Sequence, residues 1–319
     1  MCRSSCSIEE YLCVRSLGIG NNGMRCMIYD RRRAHEFTNA MTVDVEDYFQ
    51  VQAFESRIRR ADWRNFPSRV ERNTDAVLAL FAEQGVRATV CALGWVAERH
   101  PKLIKRIVAA GHELASHGWA HHRVGTQDPE VFRADVSRTK KLLEDLGGVA
   151  VTGYRAASFS VGRDTLWALD VLGEEGYGYS SSIYPIQHDH YGIPDAPRVP
   201  FRPGASSLVE IPMTTLRAGG RNFPGSGGGY FRLLPYALSR WAMNRVRRDD
   251  GQPCIFYFHP WEIDPHQPRI ADAPLKSRLR HYTNLATMAE RIRRLLGEFS
   301  WDRMDRVYAD AIANTPRGR

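Results

Sequence analysis

Two hydrophobic rhythms alternate between about residue 41 and residue 297. Short apolar runs read as strands: Met41–Val45, Val86–Leu93, His112–His117, Val149–Ala156, Tyr177–Tyr184, Ser207–Thr215 and Pro253–His259. Between them lie stretches whose apolar positions return every three or four residues, the period of an amphipathic helix. One starts near Ser68, gathers Val70, Val77, Leu78 and Phe81 on one side, and stops at Gly85. The next carries Val96, Leu103, Ile104, Ile107 and Val108 and stops at Gly111. A third runs from Pro129 through Val131, Phe132, Val136, Leu142, Leu143 and Leu146 to Gly147-Gly148, where glycine suits the left-handed residue that closes a helix. Further helices are predicted over 163–175, 234–248 and 281–297. Strand–helix alternation at this spacing predicts parallel strands joined by helical crossovers, and about seven such units curl into a barrel. In such sheets ligands sit at the carboxyl ends of the strands.

The ends of the chain follow neither rhythm. Residues 1–39 hold a glycine- and asparagine-rich run (Gly18–Gly23) and Arg31-Arg32-Arg33, and are predicted to be a poorly ordered tail. A single catalytic domain is expected over 40–300, with 301–319 as a C-terminal tail. Proline crowds residues 185–204, and the glycine-rich Pro224–Tyr230 reads as a mobile flap. It is no phosphate loop, because no Gly-Lys-Ser/Thr follows.

Composition narrows the picture slightly. The 319 residues are 43% hydrophobic and 25% charged, an ordinary globular balance. No apolar run reaches the ~18 residues that a membrane-spanning helix needs. Glu9 and Glu10 precede any apolar stretch, so no secretory signal is recognised, and a cytoplasmic protein is expected. Cys2, Cys6, Cys13 and Cys26 lack zinc-ribbon spacing; Cys91 and Cys254 sit in apolar runs as buried small hydrophobes. The net charge of +8 and the cluster Arg57, Arg59, Arg60, Arg64, Arg69 and Arg72 would attract an acidic partner. No nucleic-acid-binding signature accompanies them.

The candidate chemistry lies at strand ends. Asp44, Glu46 and Asp47 crowd three carboxylates into four residues, which is costly to bury without a cation. His117 and His121 are four apart, so on a helical turn both imidazoles would face one metal. With an upstream carboxylate they make the two-imidazole, one-carboxylate set that catalytic zinc often uses. Arg155 can pair with a carboxylate and hold it ionised. His259 is either a satisfied core imidazole or an acid/base at the mouth of a site.

The ordered set TVDVEDYFQV (42–51), HELASHGWAHH (112–122), GYRAASFS (153–160), VEIPMTT (209–215) and YFHPWEID (257–264) resembles NodB-type polysaccharide deacetylases. GGGYFRLLPY (227–236), QPR (267–269) and RHY (280–282) are similar to the subfamily encoded in bacterial exosortase/PEP-CTERM exopolysaccharide loci. The resemblance covers residues 40–298. It implies a distorted (β/α) barrel with fewer than eight strands, one divalent metal with zinc the first choice, and hydrolysis of N-acetyl groups on N-acetylhexosamine units of a polysaccharide or its lipid-linked precursor. It implies His117 and His121 as metal ligands, Asp44 as base, His259 as the acid that protonates the departing amine, and Arg155 as support for the base. The family's usual paired aspartates are here Asp44-Val45-Glu46, so Glu46 is the expected carboxylate ligand with Asp47 as the alternative. Serines 180–182 stand where a similar protein often has an aspartate.

Tyr48, Phe49, Tyr230 and Trp261 are candidate apolar faces for sugar rings. The expected partner is an acetylated polysaccharide or oligosaccharide, with room for peripheral membrane association and no nucleic acid. Two other classes fit the same residues: a hydrolase of another C–N bond, such as a cyclic amide, and a carbohydrate-binding barrel without turnover.

Overall fold

The computed structural model describes residues 37–315 apart from His190 and Ala205. The expected N-terminal tail and its four cysteines therefore lie outside the described residues, except for 37–39. In chain order the elements are β1 (Asn39–Val45), α1 (Val70–Glu83), β2 (Thr89–Ala92), α2 (Gly94–Arg99), α3 (Pro101–Ala109), β3 (Glu113–Ser116), α4 (Pro129–Gly147), β4 (Gly153–Tyr154), α5 (Trp167–Glu174), β5 (Tyr179–Ser180) and β6 (Val209–Glu210). They continue with β7 (Thr215–Ala218), β8 (Arg221–Pro224), α6 (Gly228–Leu233), α7 (Tyr236–Asp250), β9 (Ile255–Phe258), α8 (Leu275–Tyr282), α9 (Leu285–Glu298), β10 (Trp301–Asp302), α10 (Met304–Val307) and α11 (Ala309–Asn314).

Seven parallel strands form a curled half-barrel in the order β9-β1-β2-β3-β4-β5-β6, as the alternation predicts. All seven residues of β1 are buried, because a central parallel strand is covered on both faces. The gap between β6 and β9 is bridged by side chains: Ile255 N–H donates to Thr214 Oγ1 at 2.7 Å, and Ser226 Oγ donates to the Ile255 carbonyl. β7 and β8 make a separate antiparallel hairpin, so the run Ser207–Thr215 is not one strand.

Three predicted elements change. The helix expected to run continuously to Gly111 is two helices, broken at His100 before Pro101, because proline disfavours helical backbone in the residue it follows. Residues 275–282 are a helix that the apolar pattern does not announce; His281 is its one buried residue. The expected C-terminal tail is instead part of the fold through residue 308. β10 pairs with the start of β1, Met304 and Tyr308 are buried, and Asp305 N–H reaches Glu113 Oε2 at 3.2 Å. Its strand is two residues long, too short to carry a period.

Candidate active site

β1 decides which carboxylates can meet. Side chains alternate along an extended chain, so Thr42, Asp44 and Glu46 share the face toward the barrel interior, while Asp47 points away. Arg155 confirms the parity: its Nη1 donates both to Thr42 Oγ1 at 2.7 Å and to Asp44 Oδ1 at 2.9 Å. Arg155 lies just beyond β4, fully buried, and its Nε reaches the Ser181 carbonyl beyond β5 at 3.2 Å. Burial pushes the Asp44 carboxyl upward. The charges of Arg155, His117 and His259 outweigh burial and hold it below its ordinary value.

Asp47 is corrected from ligand candidate to helix cap. Its Oδ2 accepts from Ser68 Oγ (2.8 Å), Arg69 N–H (2.7 Å) and Val70 N–H (3.1 Å), and its Oδ1 accepts from Tyr48 N–H (3.0 Å). It thus caps the N-terminus of α1 across 22 residues of chain separation.

The two histidines meet the carboxylate, though not from a helical turn. Residues 117–121 form a loop, with Gly118 at φ +74° and His121 at φ +52° in the left-handed region. The loop is held in several places. Gly94 and Trp95 at the start of α2 donate to the Gly118 and Trp119 carbonyls, both at 2.9 Å. Asp135 on α4 accepts the Trp119 N–H at 2.9 Å, and Arg60 donates to the Ala120 and His121 carbonyls.

His117 Nδ1 stands 2.8 Å from the Arg155 carbonyl, which can only accept. That fixes the proton on Nδ1 and leaves the Nε2 lone pair free, a common device for orienting a metal-binding imidazole. Burial, countered only in part by Asp44, lowers the His117 pKa to about 4, so the ring is neutral at pH 7.

Glu46 Oε2 lies 3.0 Å from His121 Nε2 yet accepts no well-aligned hydrogen bond. Its other oxygen takes the Trp261 indole N–H at 3.2 Å. Ligand atoms of Glu46, His117 and His121 all fall within 4.8 Å of one another, and all three residues are buried. Two ligands of one tetrahedral ion held at ~2.1 Å stand about 3.4 Å apart, so the cradle has the size and the donors for a divalent cation. An orphaned buried carboxylate oxygen facing two imidazoles is what such an ion would satisfy.

His259 follows β9, with its Nδ1 2.9 Å from Glu262 Oε1 and its Nε2 3.5 Å from Glu46 Oε1. Burial works against a charged ring, but Glu46, Glu262 and Asp44 together raise its pKa to about 9. Glu262 is itself buried and held low, at about 2, because Arg232 and His259 outweigh its burial. Arg232 Nε donates to Glu262 Oε2, and its remaining nitrogens reach the Arg280, His281 and Thr283 carbonyls at the end of α8.

Neither Arg232 nor Glu262 stands out in the sequence reading, although both lie inside the quoted motifs. The available signal was spacing: Glu262 follows His259 by three residues, the reach of a capping contact.

The expected sugar-facing aromatics separate. Tyr48 and Phe49 are buried in an aromatic cluster with Trp63 and Trp95, so neither offers a face to a ligand. They follow β1 beneath the helices, where large aromatics fill the core. Trp261 is also buried, stacked between His259 (5.2 Å, 18°) and His281 (4.1 Å, 11°), and acts on Glu46 through its indole. Tyr230 alone of the four lines a cleft, of about 740 Å³, with Tyr257, Arg123, Glu55, Lys276 and Arg280. That cleft runs beside His259, since the ring of Tyr257, one of its lining residues, packs edge-on to His259 at 6.0 Å.

The glycine-rich segment is no loose flap. Gly227 sits at φ +121°, where a Cβ would lie 2.1 Å from the Tyr257 ring, and a Cβ on Gly228 would lie 2.2 Å from Glu262 Oε1.

Fold and site together define an α/β half-barrel with an ionised aspartate, a Glu/His/His cluster of a size for a cation, and a protonated histidine at its strand ends. Residues 63–176 match the family model "Polysaccharide deacetylase", and residues 181–309 match "Domain of unknown function (DUF3473)". A chitooligosaccharide deacetylase from Rhizobium leguminosarum bv. trifolii is 29% identical over 147 residues, 46% of this chain and 61% of that protein. A peptidoglycan-N-acetylglucosamine deacetylase from Bacillus cereus is 30% identical over 77 residues, 24% of this chain and 28% of that protein. The chain thus spans about three fifths of the first of these relatives. The family model and these relatives support the polysaccharide deacetylase family, the family of the sequence motifs. Among solved structures, a polysaccharide deacetylase from Mycobacterium smegmatis superposes with a TM-score of 0.59 at 21% identity, covering 88% of this chain and 92% of that one. The Puue allantoinase superposes with a TM-score of 0.55 at 14% identity, over 88% and 92%. At these identities the two structures speak to the fold.

Proposed function

We propose that the chain is a metal-dependent N-deacetylase acting on N-acetylhexosamine units of a polysaccharide or its lipid-linked oligosaccharide precursor, in bacterial exopolysaccharide synthesis. The observation that supports the reading is a pair of oppositely charged groups beside the Glu46, His117 and His121 cluster: Asp44, held ionised by Arg155, and His259, held protonated by Glu46 and Glu262.

Glu46, His117 and His121 would hold the cation, zinc by donor type. Such a cation, when bound, supplies an acidified water and polarises the acetamide carbonyl. Asp44 accepts the proton of the attacking water. His259 gives its proton to the amide nitrogen as the C–N bond breaks, because an amide nitrogen leaves readily only as an amine. Acetate and a free amine are the products. Trp261 holds Glu46 in orientation, and Arg155 keeps the base charged through the cycle. The cleft beside His259 is wide enough for several sugar rings, with Tyr230 offering one of them a face. A cytoplasmic setting at the inner membrane face, where lipid-linked precursors would be met, belongs to the same proposal.

The test is acetate release from chito-oligosaccharides before and after chelation, with zinc restored afterwards. Chelator-sensitive acetate release that zinc restores is the expected result. Metal binding with ring opening of a cyclic amide and no acetate would point to the related hydrolase. Metal binding without turnover would point to a sugar-binding barrel.

A further inference from the structure

Next to the cleft the surface changes character. Leu275 and Leu279, one turn apart on α8, are 69% and 58% exposed. Leu233 and Leu234, at the end of α6, are also exposed, as are Leu238 and Trp241, three apart on α7. These side chains do not stand scattered. α6 and α8 are clamped together by the buried Arg232, which belongs to the first helix and donates to three carbonyls at the end of the second. Leu233 from α6 and Lys276, Ser277 and Arg280 from α8 line the same cleft. Leu233 is therefore part of the cleft wall, and Leu275 and Leu279 border it, each next in sequence to a lining residue, Lys276 and Arg280.

The charges interleaved with them are of one sign. α8 reads Leu-Lys-Ser-Arg-Leu-Arg-His-Tyr, with no acidic residue; Asp272 precedes it, on the far side of Pro274. On α7 the cations are partly matched, Arg240 by Glu298 at 3.1 Å and Arg245 by Asp249 at 2.9 Å. Arg245 also lies over the Trp241 ring. Unmatched cations thus concentrate on α8, between the two most exposed leucines.

We infer that this rim docks on the surface of an anionic lipid bilayer. Leucine and tryptophan side chains enter the boundary between headgroups and acyl chains, while lysine and arginine stems lie along the apolar zone and carry their charges to the lipid phosphates. A protein partner would be met by an interface core poor in lysine, whereas Lys276 beside Leu275, and Arg278 and Arg280 on either side of Leu279, fit phosphate on a fluid surface. Among the described residues no helix is long and apolar enough to cross a membrane, and the inferred contact is a peripheral one. Docked this way, the cleft mouth faces the bilayer. If the deacetylase reading holds, a lipid-linked oligosaccharide would enter it without leaving the membrane surface.

The experiment is sedimentation of the full chain with large vesicles, either pure phosphatidylcholine or an equal mixture with phosphatidylglycerol, with no carbohydrate present. The outcome is then independent of the catalytic reading. The chain should pellet with the mixed vesicles, far less with the neutral ones, and less as salt rises. Leu275→Ser/Leu279→Ser should lose most of the binding while keeping the circular dichroism spectrum and the melting temperature. Arg278→Ser should weaken it about fivefold. Leu238→Ser/Trp241→Ser is a second, independent variant with the same expectation. Equal binding to both vesicle types, or none to either, would overturn the inference. So would a wild-type dimer in light scattering that Leu238→Ser/Trp241→Ser converts to monomer, which would make this face a contact between copies.

Discussion

Replacing Asp47 separates the two carboxylates that follow β1. Alanine at 47 removes the acceptor for the backbone N–H groups of Tyr48, Arg69 and Val70. Tyr48 and Val70 are buried, so water cannot replace the lost partner. Each buried N–H left unpaired costs about 1–3 kcal/mol, and the α1 terminus loses a favourable charge worth about 0.5 kcal/mol more. Against this, burial already raises the Asp47 carboxyl above its ordinary value, so removing it recovers part of a desolvation cost. The expected net loss is about 2–4 kcal/mol for Asp47→Ala. Asp47→Asn should lose about 1 kcal/mol, because the amide oxygen can keep the three Oδ2 bonds and only the Tyr48 contact fails. Glu46→Ala should differ in what it does to the metal. It leaves the Trp261 indole N–H and the charged His259 without their carboxylate, so some stability is lost without metal as well, but zinc affinity collapses. Urea denaturation in chelator and equilibrium dialysis against zinc measure the two effects separately. Loss of zinc with unchanged stability in Asp47→Ala, or tight zinc binding in Glu46→Ala, would refute the assignment.

Three further outcomes follow from the same geometry. His259→Ala should keep its metal and slow turnover by ~10²–10⁴. Because the acid must be protonated, with a pKa near about 9, the wild-type rate should fall on the alkaline side, and this limb should vanish in the variant. Gly228→Ala should slow turnover and lower the melting temperature, because the added methyl would collide with Glu262 where it holds His259. Finally, burial, the neighbouring Asp305 adding to it, raises the Glu113 carboxyl above its ordinary value. The folded state then keeps this proton to higher pH than the unfolded state, so the contribution is full below the ordinary glutamate range and is lost as pH rises through the folded value. Glu113→Gln, with its amide nitrogen turned to the Tyr179 hydroxyl, should therefore lose less stability than wild type between pH 5 and pH 8 in urea titrations.

Features with a period were readable before any coordinates. Seven parallel strands follow from alternating runs, and the strand ends that carry Asp44, His117, Arg155 and His259 follow from where each run stops. The intervening Val45 also carries meaning, since a period of two turns Asp44 and Glu46 to one face and Asp47 to the other. What stayed hidden has no period. The loop 117–121 is shaped by Gly118, by Asp135 and by carbonyls that cap α2, contacts between segments far apart in sequence. Tyr48 and Phe49 look like ligand platforms by composition, yet tertiary packing buries them. The C-terminal residues 301–308 look like a tail because their strand is only two residues long, and what fixes them is Glu113 and the start of β1.

The boundary between the two family matches falls between residues 176 and 181, and it divides the chemistry. His117, His121 and Arg155 lie on one side; His259, Glu262, Arg232 and Trp261 lie on the other. The structure shows that this is no boundary between folding units. β5 lies in the gap and pairs with β4 before it and β6 after it, β9 pairs with β1, Arg155 reaches the Ser181 carbonyl, and the Trp261 indole holds Glu46. The later segment therefore supplies what the earlier one lacks. Its Arg232 is buried among carbonyls of α8, fixes Glu262, and through it keeps His259 charged. Breaking a buried pair of this kind costs about 3–5 kcal/mol, so the charge on His259 and the packing of α6 against α8 are secured by one contact. A half-barrel cut after residue 180 would keep Asp44, Glu46, His117 and His121 while losing His259, the indole that orients Glu46, and the strand that flanks β1.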